Sequence, residues 1–216
     1  MNENNTKGSM EQLIQRSNNI AIVPSQIGGY DAFAAALGLF FGLKEKDKKV
    51  SLIYPGGVPQ GFEDLISNAE IVADASLRDL IVEVDYSNSS AEKVNYSTQN
   101  DVLTLKISPV GSNFSLDNVK AGLQGKGYDL IFVVGAQVKE DLGISYSALE
   151  EEFRSATLIN LDNTKTNSRF GDVNIVDPLM DNLSQLVLNF MVKAGFFITQ
   201  KPAKALLKGI SYRSAN

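Results

Sequence analysis

The loop SQIGGYD, residues 25–31, is the first place in the chain where residue types and spacing could do chemistry. An apolar run precedes it and an amphipathic stretch follows it, and α/β proteins bind phosphate groups at such strand-to-helix junctions. Gly28 and Gly29 would let a phosphate approach the backbone, but their spacing matches neither the Rossmann nor the P-loop pattern. The alternative is that they only form a tight turn between strand and helix, which also needs glycine. The single carboxylate, Asp31, fits a ligand-binding group or a partner of the helix dipole.

A second group of polar residues, DNTKTN at residues 162–167, follows another apolar run. The carboxylate of Asp162 and the amide of Asn167 could grip a nucleotide. They could equally bond to their own backbone as Asx turns where the chain leaves a strand. The residue types alone leave both interpretations open.

Composition excludes several kinds of catalytic site. The 216 residues include no histidine and no cysteine, which excludes Ser-His-Asp triads, thiolate nucleophiles and zinc sites with nitrogen or sulfur ligands. Any metal must be a hard cation bound by oxygen atoms. The formal net charge of −5 argues against a nucleic-acid groove. The one basic cluster fits a helix C-terminus, where cations complement the dipole; it consists of Lys44, Lys46, Lys48 and Lys49.

The elements that would hold these loops follow from the spacing of apolar residues. Buried strands are predicted at residues 19–23, 50–54, 128–134 and 156–161, and helices at 31–46, 181–195 and 201–208. The strand, helix and strand within 19–54 form a βαβ unit, which implies a parallel sheet. We expect one α/β domain over residues 17–216, with a mostly parallel five-stranded sheet and helices on both faces, after a polar, flexible segment at residues 1–16.

The spacing changes between residues 77 and 109, where LIVEVDY and VLTLKIS alternate apolar and polar residues. This alternation predicts an antiparallel hairpin inserted into the α/β domain at about residues 78–109. Its apolar residues include Tyr86, Tyr96 and Ile107. They could pack on the domain itself or pair with a second subunit.

The segment NLDNTKTNSRFGDVNIVDP, residues 160–178, resembles a motif of the DHH phosphoesterase superfamily. The family pattern is a buried strand, then Asn-Ile-Asp-His-His, Asn, Phe-Gly and Val-Asp-Pro. The residues at the matching spacing are Asn160, Asp162, Asn167, Phe170, Gly171, Asp177 and Pro178. The resemblance covers about residues 17–216 in four blocks. It implies the fold of the family's first α/β domain.

The first two blocks of this resemblance depart from the family at its manganese ligands. In the first block Ser25 stands where the family has a histidine, and Gly29 stands where it has an aspartate. Asp31 matches the second aspartate of that block. In the second block Gly135 stands where the family has a metal-bridging aspartate. The resemblance therefore implies that only one ligand survives here.

The last two blocks depart in the same way. Asp162 is present, but Asn163 and Thr164 stand where the family has two histidines, and Arg213 stands at an aspartate position within GISYRSAN. Two divalent cations need several anionic oxygens, so Asp31 and Asp162 would not hold them. Arg213 would repel a metal, and it could instead bind a phosphate or pair with Asp31.

We therefore expect a catalytically inactive DHH phosphoesterase-like domain that acts by binding. Its ligand would be a nucleotide-like anion in the former active cleft, or its partner would be a protein. We expect no metal and no cofactor. The candidate cleft residues are Ser25, Gly28, Gly29, Asp31, Gly135, Asp162, Asn163, Asn167 and Arg213.

Two alternatives to this function stay open. One is a Mn²⁺- or Mg²⁺-dependent phosphoesterase acting on nucleotides or short oligonucleotides, with a relocated site at Asp31, Asp162 and either Asp172 or Asp177. The other is a structural or assembly module that uses the inserted hairpin.

The sequence also bears on partners and location. No apolar run is long enough to cross a membrane, and the start MNENNTKGSM lacks the basic and apolar regions of a signal peptide. We therefore expect a cytoplasmic protein without a membrane or strong nucleic-acid partner. A homodimer also fits the sequence. The smaller second domain that the resemblance implies has no counterpart in these 216 residues.

Overall fold

The structure, a computed structural model, describes residues 3–87, 93–108, 110–112 and 114–214, with side chains described between residues 10 and 212 of those ranges. The strands are β1 (Asn19–Pro24), β2 (Lys49–Ile53), β3 (Ile71–Val72), β4 (Asp79–Val84), β5 (Lys93–Gln99), β6 (Val102–Ser108), β7 (Val119–Gln124), β8 (Leu130–Val134), β9 (Thr157–Asp162) and β10 (Val173–Val176). The helices are α1 (Glu3–Arg16), α2 (Gly29–Lys44), α3 (Ile144–Ala148), α4 (Glu150–Ser155), α5 (Leu183–Lys193) and α6 (Gln200–Ser214). Within the described ranges, none of these helices is both long enough and apolar enough to cross a membrane.

A parallel sheet of six strands forms the centre of the α/β part, in the order β10-β9-β8-β1-β2-β3. Every neighbouring pair is parallel. The predicted α/β class is confirmed, but the count of five strands is wrong. The strands β3 and β10 have only two and four residues, so neither forms an apolar run long enough to stand out in the sequence.

Alternate residues of the central strands contribute to two apolar layers. Ile20 and Ile22 of β1 belong to the larger layer, which contains buried residues of α2, α5 and α6. Ala21 and Val23 belong to the smaller layer with Phe153 of α4. Helices therefore cover both faces of the sheet, as expected for strands that read as continuous apolar runs.

Residues 3–16 form helix α1 instead of the flexible segment that their polarity suggested. Met10 and Ile14 are buried in the larger apolar layer, because residues four apart lie on the same face of a helix. Lys48 Nζ donates to the carbonyl oxygens of Gln15 (2.6 Å) and Ser17 (3.1 Å). A lysine of the basic cluster thus stabilises the C-terminal end of α1, where a positive charge complements the dipole.

The segment Arg78–Lys126 forms a second compact unit, separate from the α/β part made of Met1–Leu77 and Gly127–Asn216. In this unit β4 pairs with β7 and β5 pairs with β6, both antiparallel. The antiparallel segment is therefore longer than the hairpin expected at about residues 78–109. The strand β7 was not predicted, because the alternation in its sequence VKAGLQ rests on only three apolar residues, one of which is alanine.

Candidate functional site

The order of the sheet reverses between β1 and β8, and α/β proteins bind ligands in the crevice outside the carboxyl ends of strands at such a reversal. Ser25 follows β1 and Gly135 follows β8, and the Ser25 amide donates to the carbonyl oxygen of Val134 (2.8 Å). A Cβ placed on Gly28, at the start of α2, would lie 3.4 Å from the Gly135 carbonyl oxygen. We call the space bounded by Ser25, Gly28 and Gly135 the crevice.

Leu183, the first residue of α5, fills the crevice. A Cβ on Gly135 would lie 2.5 Å from Leu183 Cδ1, and a Cβ on Gly28 would lie 3.6 Å from the same atom. Leu183 itself is only 5% exposed. Gly135 also has a φ of +75°, in the left-handed region that glycine adopts without strain. No side chain, an aspartate included, fits at residue 135 while Leu183 keeps this position.

The carboxylate of Asp31 is bound to the start of α5. Its Oδ2 accepts a hydrogen bond from the Leu183 amide (2.7 Å), and its Oδ1 accepts from the Ser184 amide (3.0 Å) and the Ser184 hydroxyl (2.7 Å). Asp31 lies in the first turn of α2, so its charge is close to the N-terminal ends of both helices, where an anion is stabilised. Asp31 therefore acts as a link between two helices.

The loop between β1 and α2 uses the hydroxyl of Ser25 internally. This Oγ accepts from the amides of Ile27 (3.2 Å) and Gly28 (3.4 Å) and donates to the carbonyl oxygen of Asp141 (3.3 Å). Gly29 has a φ of +57°, and a Cβ placed on it would meet nothing within 4 Å. Gly29 thus faces open space, whereas Ser25 is fully buried.

Asp162, at the end of β9, belongs to a buried polar network. Its carboxylate accepts from Asn167 Nδ2 (2.7 Å) and Thr164 Oγ1 (3.2 Å). Asn167 Nδ2 also donates to the Ala136 carbonyl oxygen (2.8 Å), and its Oδ1 accepts from Asn160 Nδ2 (3.0 Å). The network joins the loops after β8 and β9. The Asx-turn interpretation therefore describes only part of it, the bond from the Arg169 amide to Asn167 Oδ1 (2.7 Å).

One atom of this network has no partner. The side-chain oxygen of Asn160 is buried and accepts no hydrogen bond in the part of the chain that the structure describes. An unpaired buried acceptor costs about 1–3 kcal/mol. The unpaired oxygen of Asn160 therefore lies beside the bonds that Asn167 and Asp162 make.

The other candidate residues lie around the same edge of the sheet. Asn163 Nδ2 donates to the Met180 carbonyl oxygen (3.0 Å), which ties the loop after β9 to the segment before α5. Arg213 lies in α6, but its side chain is outside the described residues. Its ion pair with Asp31 stays a prediction.

The carboxylates of the relocated metal site do not all meet. Asp172 precedes β10 and accepts from the Leu158 amide (2.8 Å), so it lies at the amino edge of the sheet, about 13 Å from the carboxyl edge for a four-residue strand. Asp162 and Asp177 lie at the carboxyl edge, where the Asp177 amide donates to the Asp162 carbonyl oxygen (3.0 Å). Among the described residues, no group of three or more acidic side chains is placed to hold a metal ion.

Sequence reasoning did not place Leu183 and Ser184 in the site. Helical spacing predicts that Leu183 lies on the apolar face of α5, and the Asn182 side chain caps this helix by accepting from the Gln185 amide (2.8 Å). Both features are visible in the sequence. The group that Leu183 contacts is not, because Gly135 lies far away along the chain.

A comparison with solved structures identifies a similar fold. An exopolyphosphatase-related protein from Bacteroides fragilis superposes with a TM-score of 0.64 over 98% of this chain, at 16% sequence identity. The match covers 51% of that protein, so the present chain spans about half its length. No protein-family model matches the sequence, and a search of curated proteins gives no match. The chain therefore has a phosphoesterase-like α/β fold.

Proposed function

We propose that this chain is a non-catalytic, phosphoesterase-like domain that acts by binding a partner. The observation that carries the proposal is the position of Leu183, whose Cδ1 would lie 2.5 Å from any Cβ on Gly135. In the DHH resemblance, residue 135 is the position of a metal-bridging aspartate. An aliphatic side chain in that space offers no ligand to a divalent cation and excludes the water that would accompany one.

The electrostatics of the crevice support the same proposal. A hard divalent cation gives up its water only in exchange for several anionic oxygens. The Asp31 carboxylate already accepts three hydrogen bonds from Leu183 and Ser184. Asp162 is bound by neutral side-chain donors from Asn167 and Thr164. A metal would have to displace these donors, and α5 would then lose its N-terminal partner.

The surface around the crevice favours a protein partner over a nucleotide-like anion. The two described carboxylates of the site would repel a phosphate, and Ser25 has no exposed hydroxyl to offer one. In contrast, Ile27 in the loop after β1 and Leu179 after β10 are 73% and 87% exposed. We propose that these two side chains, on loops at the carboxyl edge of the sheet, contact the protein partner.

A thermal-unfolding and turnover experiment tests this proposal. The 216-residue chain is heated with and without millimolar Mn²⁺ or Mg²⁺, and hydrolysis of a short oligoribonucleotide and of inorganic polyphosphate is measured under the same conditions. A specific metal site filled at 100 times its dissociation constant would add about 2.7 kcal/mol to the free energy of unfolding. We expect neither a metal-dependent shift nor turnover.

The variant Asp162→Asn serves as the matched control because it removes a charge and keeps the size of the side chain. Metal-dependent cleavage that this variant abolishes would overturn the proposal and favour the phosphoesterase alternative. A third arm adds nucleoside monophosphates without metal. A specific rise in the unfolding temperature in that arm would indicate that the chain binds a nucleotide-like ligand and not a protein partner.

A further inference from the structure

The unit Arg78–Lys126 carries apolar strand faces that its own residues do not cover. None of its described residues, 78–87, 93–108, 110–112 and 114–126, is buried. A two-stranded hairpin alone is marginally stable in water, and stability normally requires a further layer on its apolar face. This unit therefore presents surface that a partner would stabilise.

The hairpin β5–β6 separates apolar from polar residues by face. Directly paired residues point to the same side of an antiparallel ribbon. Val94 pairs with Ile107, and Tyr96 pairs with Leu105, so these four side chains share one face. The alternate pairs, such as Ser97 with Thr104, form a polar face on the other side.

The turn of this hairpin fixes the pairing register. Asn100 and Asp101 join the two strands, and their φ angles are +50° and +62°. Two consecutive residues with positive φ are characteristic of the type I′ turn, whose twist matches that of paired strands. The apolar face is therefore a defined surface of the folded hairpin.

The ribbon β4–β7 has the same two-sided character. Leu80 pairs with Leu123, and Val82 pairs with Ala121, which places these four residues on one face. The intervening pair Glu83 and Lys120 points to the other side.

The exposed apolar area is large enough for a stable interface. Seven large apolar residues on these two strand faces are between 40% and 79% exposed: Leu80, Val82, Val94, Tyr96, Leu103, Leu105 and Leu123. Summed over the two ribbon faces, they expose on the order of 800 Å², about what one partner contributes to a standard protein–protein interface. Single exposed apolar residues are ordinary, but several that share one ribbon face form the kind of patch that marks an interaction surface.

The charge of the unit favours a second copy of this chain as the partner. Residues 78–126 contain five basic and six acidic residues, whereas the whole chain has a net charge of −5. A nearly neutral surface does not repel its own copy, and it offers no charge pattern that would select a strongly acidic or basic partner.

We propose that the apolar faces of β5–β6 and β4–β7 form an isologous dimer interface, in which each copy covers these faces of the other. The inference goes beyond the proposed function, because it concerns a different surface and does not depend on whether the α/β part binds a metal. The interface lies in the unit Arg78–Lys126 and does not involve the crevice.

Light scattering and sedimentation of the full chain test this dimer at about 1–100 µM, a range that reveals dissociation constants in the micromolar region. The double variant Tyr96→Lys/Leu105→Lys places two charges on one cross-strand pair of the apolar face. We expect a dimer for the unmodified chain and a rise of about 100-fold or more in the dissociation constant for this variant, because a central aromatic and its neighbour are lost.

The matched control is Ser97→Lys/Thr104→Lys, which adds the same charges to an adjacent pair on the polar face of the same hairpin. It should stay dimeric, and circular dichroism should show that both variants keep the α/β signal. A monomer at all concentrations, or equal dimerisation of the two variants, overturns the inference. A monomer without turnover leaves the non-catalytic proposal standing, whereas a dimer with metal-dependent turnover overturns that proposal and supports the interface.

Discussion

The carboxylate of Asp31 binds Ser184 twice, accepting from its backbone amide at 3.0 Å and from its hydroxyl at 2.7 Å. The two residues are 153 positions apart in the sequence. Their contact joins the first turn of α2 to the first turn of α5 at the carboxyl edge of the parallel sheet. The aspartate that the sequence resemblance aligned with a metal ligand therefore stabilises the packing of two helices.

Replacement of Asp31 should reduce the stability of the chain. We expect Asp31→Ala to lower the free energy of unfolding by about 2–4 kcal/mol, because a helix-end acceptor is lost and partly buried donors are left unpaired. Urea unfolding followed by circular dichroism measures the change. Ser184→Ala removes one of the three bonds and should cost about 1 kcal/mol. A change below about 0.5 kcal/mol for Asp31→Ala would contradict the linking role, since exposed sites give values of that size.

A double-mutant cycle tests whether Leu183 fills the space above Gly135. We expect Leu183→Ala to cost about 2–5 kcal/mol, as for other buried leucines. Gly135→Ala should also destabilise the chain through steric overlap and the positive φ. Because Leu183→Ala relieves the overlap, the double variant should be more stable than the sum of the single changes by about 0.5–3 kcal/mol.

The control cycle for this test combines Gly135→Ala with Leu186→Ala. Leu186 is also buried on α5. None of its atoms is among the three that would lie nearest to a Cβ on Gly135. The two changes should therefore add. Equal coupling in both cycles would argue against a specific contact between Leu183 and Gly135.

Gly209 of α6 should tolerate no side chain. A Cβ there would lie 2.0 Å from Ser184 Oγ and 2.7 Å from Asp31 Oδ1. In an exposed helix Gly→Ala adds about 1 kcal/mol of stability, but overpacking here should make Gly209→Ala destabilising by about 1–3 kcal/mol. Gly122→Ala is the control, because a Cβ on Gly122 in β7 would have no atom within 4 Å. If thermal unfolding shows that Gly209→Ala is as stable as Gly122→Ala, or more stable, the result would contradict the close packing of α6.

Alkaline pH should destabilise the chain through Tyr128. Burial raises the pKa of its phenol, a hydrogen bond with Ser51 lowers it in part, and the charge of Glu152 raises it. The folded state thus keeps the proton to a higher pH than the unfolded state, whose tyrosine pKa is about 10. The stabilising contribution is complete below about pH 10 and is lost as the pH rises through the folded pKa.

The measurement for Tyr128 is the urea midpoint at several pH values between about 8 and 11, a range that spans the unperturbed tyrosine pKa. Tyr128→Phe should lose less stability across this range than the unmodified chain. Tyr96→Phe, at an exposed position, should follow the unmodified chain. Parallel profiles for all three proteins would show that Tyr128 contributes nothing to the pH dependence.

Much of the central sheet could be predicted from the sequence. The apolar run IAIV in β1 and the run LIFVV in β8 are long enough to identify buried strands. The short strands β3 and β10 have no such signal, because two to four residues do not define a period. Helix α1 was missed for a related reason. Its few apolar residues lie at helical spacing, but most of the segment is polar, so the helical period of the apolar residues is weak.

The candidate site was predictable only as a set of positions. Ser25, Gly135 and Asp162 each follow a predicted strand, and the carboxyl ends of parallel strands lie on one edge of a sheet. What Ser25 and Gly135 contact could not be read from these positions, since Asp141 lies far from Ser25 in the sequence and Leu183 belongs to helix α5. Asn167 lies in the same loop as its partner Asp162, and the sequence indicated both residues. The segment 78–126 shows the same limit, because the pairing of β4 with β7 joins residues about 40 positions apart.

The sequence by itself excludes histidine and cysteine chemistry, because a side chain that is absent cannot act in any fold. It also determines the α/β class, because the apolar period is a local property of each segment. Only the tertiary structure decides that Leu183 fills the crevice over Gly135 and that Asp31 binds Ser184. Those contacts join residues distant in the sequence, and their geometry depends on how α2, α5 and α6 pack together on the sheet.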